Sequence, residues 1–390
     1  MQVRDIRTYL VSPESHRAGM IGGKNWLFAR VETDEGIVGW GEAYTQLDRD
    51  RTIERHILDM SRYLVGRNVY AIKHFTQMIY DDYAGRRGSM DLFSALSALE
   101  QALWDIIGKK LGVPVYNLLG GPCRDRIRVY ANGWYGGAKT PEQYAEMAVA
   151  TVQRGFTALK FDPFPGPWRM YIDKKAEQTA VANVRAVREA VGPDVDLLVE
   201  VHRRLSPMNA IRVARMLEEY APFWYEEPVP ADNVSALAEV RREVNIPVVT
   251  GETLYDKAAF RDVFEQRAAD IINPDVCNCG GILELKEIAA MAEPYYVAVS
   301  PHNYNSTAIG LAATVQAAAC MPNFLITEYF FNFAETAAEI SSQSLPLENG
   351  YIPLPTAPGL GIELVEKELL KHPYREDPPR ALPQYYQEGP

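Results

Sequence analysis

Short apolar runs, each ending in an ionisable residue, recur along the middle of this chain at nearly even intervals. Leu197-Leu198-Val199 ends in Glu200, Phe223-Trp224-Tyr225 in Glu226, and Ile246-Pro247-Val248-Val249-Thr250-Gly251 in Glu252. Asp270-Ile271-Ile272-Asn273-Pro274 ends in Asp275, Tyr296-Val297-Ala298-Val299-Ser300-Pro301 in His302, and Asn323-Phe324-Leu325-Ile326-Thr327 in Glu328. The steps between these ends are 26, 26, 23, 27 and 26 residues. One strand, one helix and two loops fill such a step, which is the crossover that parallel strands require. Near-continuous apolar strands are expected where helices cover the sheet, and chemistry at successive C-terminal strand ends marks a (β/α) barrel enzyme. The pattern predicts an α/β fold with a barrel over residues 121–345.

The N-terminal third reads differently. Val3–Leu10, Trp26–Thr33 and Ile37–Ala43 are strand-like, with a hairpin break at Asp34-Glu35-Gly36, and helical patterning follows, clearest over Ser94–Lys110. Strands followed by helices predict an α+β domain over residues 1–120. Its Gly-rich loop, 16–24, is placed to close over a site and carries Arg17 and Lys24 as candidate substrate contacts. Leu118-Leu119-Gly120-Gly121-Pro122 marks the break before the barrel. Arg126–Asn132 is the first barrel strand and Phe156–Asp162 the second, making Asn132 and Asp162 further candidate contacts. The long stretch Pro163–Tyr171 is a candidate specificity loop. Beyond about residue 345 the repeat stops. Residues 346–390 are expected to return to the capping domain, with a turn and short strand at Pro358–Glu363.

Composition excludes several functions. A formal charge of −11 argues against a sequence-independent nucleic-acid surface, which needs a basic patch. No apolar run approaches the length of a membrane span, and the first residues lack the apolar core of a signal peptide. Four cysteines in 390 residues do not suggest a disulfide framework; they read as buried free thiols in a cytoplasmic protein.

The strand ends suggest the chemistry. Glu200, Glu226 and Glu252 close three consecutive strands, and three facing carboxylates do not all ionise in a dry site without a cation. All-oxygen ligation suits Mg²⁺. Glu227, beside Glu226, is expected to point away, towards the helix layer. Asp275 and His302 close adjacent strands, so the carboxylate can fix the imidazole tautomer and make His302 a general base. Lys160 and Glu328 are placed to supply a hydrogen-bond donor or charge near a developing oxyanion. In a strand, Glu200 and His202 share a face. A cation holding a substrate carboxylate would let His302 remove the weakly acidic adjacent proton, giving an enediolate. If the next carbon bears a hydroxyl, His202 can protonate it as it leaves.

In these features the chain resembles the enolase superfamily, mandelate racemase group. The likeness rests on Trp224-Tyr225-Glu226-Glu227-Pro228, Gly251-Glu252, Asn273-Pro274-Asp275, His302, Leu118-Leu119-Gly120-Gly121 and Pro358-Gly359-Leu360-Gly361-Ile362-Glu363. It implies a modified TIM-type barrel with an α+β capping domain, Mg²⁺ on Glu200, Glu226 and Glu252, Asp275–His302 as the base dyad and Glu328 as an electrophilic acid. A His or Lys base acting with Mg²⁺ on an enediolate is the chemistry of that superfamily. Members working from both faces usually carry Lys-x-Lys on the second strand, but here the stretch is Lys160-Phe161-Asp162. The Glu200-Val201-His202 motif resembles the sugar-acid dehydratases, although Asp is commoner at the first position. The resemblance therefore implies an aldonate dehydratase, a homo-oligomer, with His202 as general acid. One rival is a cycloisomerase or epimerase using the same enediolate. Another is a barrel that binds metal and sugar acid without turnover.

Overall fold

The computed structural model describes residues 1–13, 24–46, 48–165, 172–304, 306 and 308–376. Arg17 and most of the Gly-rich loop lie outside these residues, as do residues 166–171 of the candidate specificity loop and the chain end after 376.

Strands β1 (Val3–Val11), β2 (Trp26–Thr33) and β3 (Val38–Ala43) form an antiparallel sheet in that order. The break between β2 and β3 turns at Gly36, with φ 79°. Helices α1 (Asp50–Leu64), α2 (Ile72–Met78) and α3 (Met90–Leu111) follow. The side chain of Ser89 caps α3 by accepting from the Leu92 N–H, and Gly112 ends the helix with φ 70°. Most of α3 is buried, including Ser94, Ser97, Glu100, Gln101 and Asp105, because it lies between the small sheet and the barrel. Gly41 of β3 permits this approach: a Cβ there would stand 1.8 Å from the carbonyl oxygen of Ala98.

The barrel strands are β4 (Arg126–Asn132), β5 (Ala158–Phe161), β6 (Asp196–Glu200), β7 (Trp224–Glu226), β8 (Val248–Thr250), β9 (Ile271–Ile272), β10 (Ala298–Val299) and β11 (Thr327–Phe330). Their pairing is parallel and sequential, and β11 returns to pair with β4. A bridge between Val299 and Phe324, with Leu325 N–H on the Val299 carbonyl at 2.9 Å, closes the ring. Tyr130, Ala158, Leu198, Trp224, Val249, Ile271 and Ile326 form an apolar plug inside it. Side chains alternate along a strand, so Asn132, Lys160, Glu200, Glu226, Asn273 and Glu328, each two residues further on, emerge above that plug.

Three details depart from the sequence reading. The second strand stops at Phe161, because the Asp162 carboxylate accepts the N–H of Phe164 at 2.9 Å and turns the chain out of the ladder. The strand after residue 345 is β12 (Tyr351–Pro353), antiparallel to β4, whereas Pro358–Glu363 forms turns without a strand. Leu360 N–H there bonds Asp105 of α3 at 2.8 Å. Finally, Cys277, Cys279 and Cys320 are buried free thiols but Cys123 is exposed. Among the described residues no helix is long and apolar enough to cross a membrane.

Candidate active site

Strand register assembles the acidic cluster. Glu200 of β6 lies directly beside Glu226 of β7. Glu252 follows β8 and turns inward after Gly251, whose φ of 136° suits glycine. One carboxylate oxygen from each of the three lies within 4.8 Å of the others. Octahedral Mg²⁺ spans oxygen–oxygen separations of about 3 to 4 Å, so a small contraction would let all three ligate one ion. Glu200 Oε2 is buried and makes no hydrogen bond among the described residues; Lys160 Nζ is 3.4 Å away. Burial and the neighbouring charge of Glu200 push the Glu226 carboxyl well above its usual range. A crowded, underbonded set of oxygen donors fits a hard divalent cation.

The protein's own cations partly compensate this charge. Lys160 Nζ reaches Glu226 Oε1 at 2.8 Å and Glu328 Oε1 at 3.2 Å. Burial works against its charge, but Glu226 and Glu328 hold its pKa well above normal. Arg203 pairs with Glu252. Burial opposes ionisation of Glu252, yet Arg203 and His302 keep its carboxyl below the ordinary range. Trp224 Nε1 and Asn273 Nδ2 donate to the two oxygens of Glu226 at 2.9 and 2.8 Å.

Asp275 and His302 meet across a parallel bridge between the ends of β9 and β10. Asp275 Oδ2 lies 2.7 Å from His302 Nδ1, and Oδ1 accepts the Cys277 N–H at 2.7 Å. His302 Nε2 faces Glu252 Oε2 at 3.1 Å and Glu328 Oε2 at 3.6 Å. Burial alone would lower the imidazole pKa; Glu252, Glu328 and Asp275 raise it instead. Glu328 accepts from Asn132 Nδ2 and from the Asn303 N–H at 2.9 Å, and although burial opposes it, Lys160 and His302 hold it below its usual range. As arranged, Glu328 is an acceptor, and Lys160 is the donor beside it.

His202 reaches the site by a route that strand alternation does not describe. Strand β6 ends at Glu200, and both His202 and Arg203 are left-handed, with φ 53° and 60°. The His202 N–H bonds Glu200 Oε1 at 2.7 Å, and its Nδ1 lies 2.8 Å from Asp162 Oδ2. Arg204 also pairs with Asp162 Oδ2. In a ring of eight strands, β6 and β10 are diametrically opposed, so His202 and His302 stand across the barrel from one another.

The remaining candidates are placed as follows. Asn132 supports Glu328 and accepts the Gly133 N–H. Lys24 is buried, its ammonium 2.5 Å from the Tyr304 carbonyl and 4.2 Å from the Tyr44 ring centre. Burial lowers its pKa, against the charges of Asp275 and Glu42. Tyr44 and Tyr304 lie beside the His302 ring at 6.2 and 6.3 Å, and 6.5 Å from each other. Glu227 is buried. Its left-handed backbone, φ 45°, leaves the carboxylate accepting from Thr250 Oγ1 and Gly251 N–H at 2.8 and 2.9 Å. Arg203, Arg204, Tyr44 and Tyr304 escaped the sequence reading. The doublet Arg203-Arg204 beside His202 was a usable signal; the tyrosines offered none.

The match to known families is extensive. Residues 3–120 match the mandelate racemase / muconate lactonizing enzyme N-terminal domain, and residues 143–368 the enolase C-terminal domain-like family. The chain belongs to the mandelate racemase/muconate lactonizing enzyme family of the enolase superfamily. Among curated relatives of this family, D-galactonate dehydratase of Ralstonia pickettii is 36% identical over 375 residues, covering 94% of this chain and 93% of the relative. D-gluconate dehydratase of Thermoproteus tenax is 35% identical over 354 residues, covering 90% and 70%. D-xylonate dehydratase of Haloferax volcanii is 34% identical over 372 residues, covering 93% and 87%. A solved mandelate racemase/muconate lactonizing enzyme from Sulfitobacter superposes with a TM-score of 0.89 at 36% identity, covering 96% of each chain.

Proposed function

We propose that this protein is a Mg²⁺-dependent dehydratase of a sugar acid, an aldonate, giving a 2-keto-3-deoxy acid. The observation that carries the reading is the pair of carboxylate-held imidazoles, His202 and His302, on opposite sides of three convergent glutamates. Relatives named for gluconate, galactonate and xylonate dehydration support the substrate class.

A divalent cation held by Glu200, Glu226 and Glu252 would supply the positive charge that an enediolate dianion needs. The residues of the chain do the rest. His302 Nε2 takes the C2 proton, with Asp275 fixing the tautomer by accepting from Nδ1. Lys160 donates towards the carboxylate oxygen on which charge develops. The C2–H electron pair forms the C2=C3 bond and the C3–O bond breaks. Hydroxide is a poor leaving group, so His202 Nε2 protonates the oxygen and water departs. Tautomerisation of the resulting enol gives the 2-keto acid. Proton removal and donation from opposite sides make the elimination anti.

The test is incubation with Mg²⁺ and a panel of stereoisomeric hexonates and pentonates in D₂O, followed by mass spectrometry. A product lighter by one water, carrying deuterium at C3, is expected. A product of unchanged mass would reassign the protein as an epimerase or cycloisomerase.

A further inference from the structure

The site contains two aspartate–imidazole pairs of one design, Asp275–His302 and Asp162–His202. Asp275 follows β9, gives Oδ1 to the N–H of Cys277 two residues on, and gives Oδ2 to Nδ1 of His302 beyond β10. Asp162 follows β5, gives Oδ1 to the N–H of Phe164 two residues on, and gives Oδ2 to Nδ1 of His202 beyond β6. The turn, the oxygen used, the ring nitrogen and the step to the next strand all agree. The two pairs sit four strands apart in an eight-strand ring. Asp162 Oδ2 in addition takes the guanidinium of Arg204, a buried side chain whose Nη1 bonds the Phe164 carbonyl at 3.2 Å.

We infer that Asp162 is a positioning residue for His202, with Arg204 anchoring it, and not a contact for substrate. This rests on the dehydratase reading above. A carboxylate only accepts, so Asp162 fixes the proton of His202 on Nδ1 and directs Nε2 away from Asp162. His202 needs such a brace, because it stands on a left-handed backbone and is partly exposed, where an unbraced ring would turn freely. Arg204 prevents Asp162 from following the ring. The brace serves only the half of the reaction in which the C3 oxygen takes a proton. Removal of the C2 proton by His302 does not involve it.

The halves separate by leaving group. Hydroxyl departs as water and needs the proton of His202. Fluoride departs with the C3–F electron pair and needs none. The experiment compares wild type, Asp162→Asn and Arg204→Gln on a sugar acid that the wild type dehydrates and on its 3-deoxy-3-fluoro analogue, together with deuterium uptake at C2 of recovered substrate in D₂O. An amide can donate where the carboxylate only accepts, so Asp162→Asn permits the wrong tautomer. A fall in kcat of about 10³-fold or more on the hydroxy acid is expected, with KM within a few-fold. Fluoride release and C2 exchange should stay within tenfold of wild type, and Arg204→Gln should show the same selectivity at about 10- to 100-fold. Equal losses on both substrates and in C2 exchange would overturn the proposal, as would an Asp162→Asn enzyme within threefold of wild type on the hydroxy acid. Should Asp162→Asn not fold, the selectivity of Arg204→Gln decides the matter. Failure of the dehydratase reading is distinct: wild type itself would release no water from any sugar acid.

Discussion

Lys160 Nζ stands 2.8 Å from Glu226 Oε1, inside the cluster where a divalent cation would bind. It also faces Glu200 and Glu328, so one buried ammonium compensates three carboxylates. Removing one partner of a buried ionic set costs on the order of 3–5 kcal/mol. Lys160→Met is expected to lower the melting temperature by several degrees in EDTA. Mg²⁺ should then raise it more than in wild type, since the ion replaces the missing charge. Thermal melts with and without Mg²⁺ check this; an equal Mg²⁺ shift in both proteins would refute it.

Arg203 predicts a shift in the same direction, read as affinity. Its guanidinium holds Glu252 and faces Glu227 at 4.0 Å, competing with a cation for the Glu252 charge. Arg203 adopts φ 60°, a conformation costing a non-glycine residue roughly 1 kcal/mol or more. Arg203→Gln should tighten Mg²⁺ binding by about tenfold, or 1.4 kcal/mol, measured by calorimetry on EDTA-treated protein. Unchanged or weaker binding would mean that Arg203 orients Glu252 instead of competing for it.

Of these two cations the sequence disclosed Lys160 and not Arg203. The period of the strand ends identified the barrel, because parallel βα units are local and repetitive. Glu200, Glu226, Glu252 and the Asp275–His302 pair were legible because strand register makes neighbouring ends meet. His202 was found by an alternation that the structure does not contain, since the left-handed turn at 202–203 is invisible in the pattern. Asp162 looked like a free strand end because its partner lies 40 residues on. The approach of α3 to the barrel could not be read, because Glu100, Gln101 and Asp105 look like ordinary polar helix positions.

Glu100 makes that junction pH-dependent. It is fully buried on α3 and accepts the N–H groups of Ile282 and Leu283 at 2.7 and 3.0 Å, capping a barrel helix from the other domain. Burial raises its pKa to about 7, although these backbone bonds oppose the shift. The folded value exceeds the unfolded one, so the folded state binds the proton more tightly. That stabilisation is fully present below about 4.5 and is lost as pH rises through 7, by at most roughly 3 kcal/mol. Glu100→Gln removes the titration and keeps an acceptor. Melts between pH 5 and 8 should show a shallower decline for the variant; parallel curves would disprove the assignment.

Gly251 is where backbone shape and the acidic cluster are coupled most tightly. A Cβ there would lie 2.8 Å from Phe260 Cε1 and 3.2 Å from the Asn273 nitrogen, at φ 136°. Gly251→Ala should displace Glu252 and weaken Mg²⁺ binding at least tenfold, with a stability loss of about 2–4 kcal/mol. Calorimetric titration and denaturant unfolding check both; wild-type Mg²⁺ affinity would show that Glu252 does not depend on this turn.

Lys24 offers the clearest link from capping domain to chemistry. Its ammonium is buried on the Tyr304 carbonyl and lies over the Tyr44 ring. Tyr44 belongs to the capping domain and Tyr304 follows His302 by two residues, so the lysine clamps together two rings from different parts of the fold, both of which pack beside the imidazole. Lys24→Met keeps the volume and removes the clamp. If the clamp orients His302, kcat falls by about 10- to 100-fold and C2 deuterium exchange falls in the same proportion, because the proton-abstracting half is the one affected. KM should change little. A large rise in KM with unchanged exchange in saturated enzyme would instead make Lys24 a direct contact for the sugar acid.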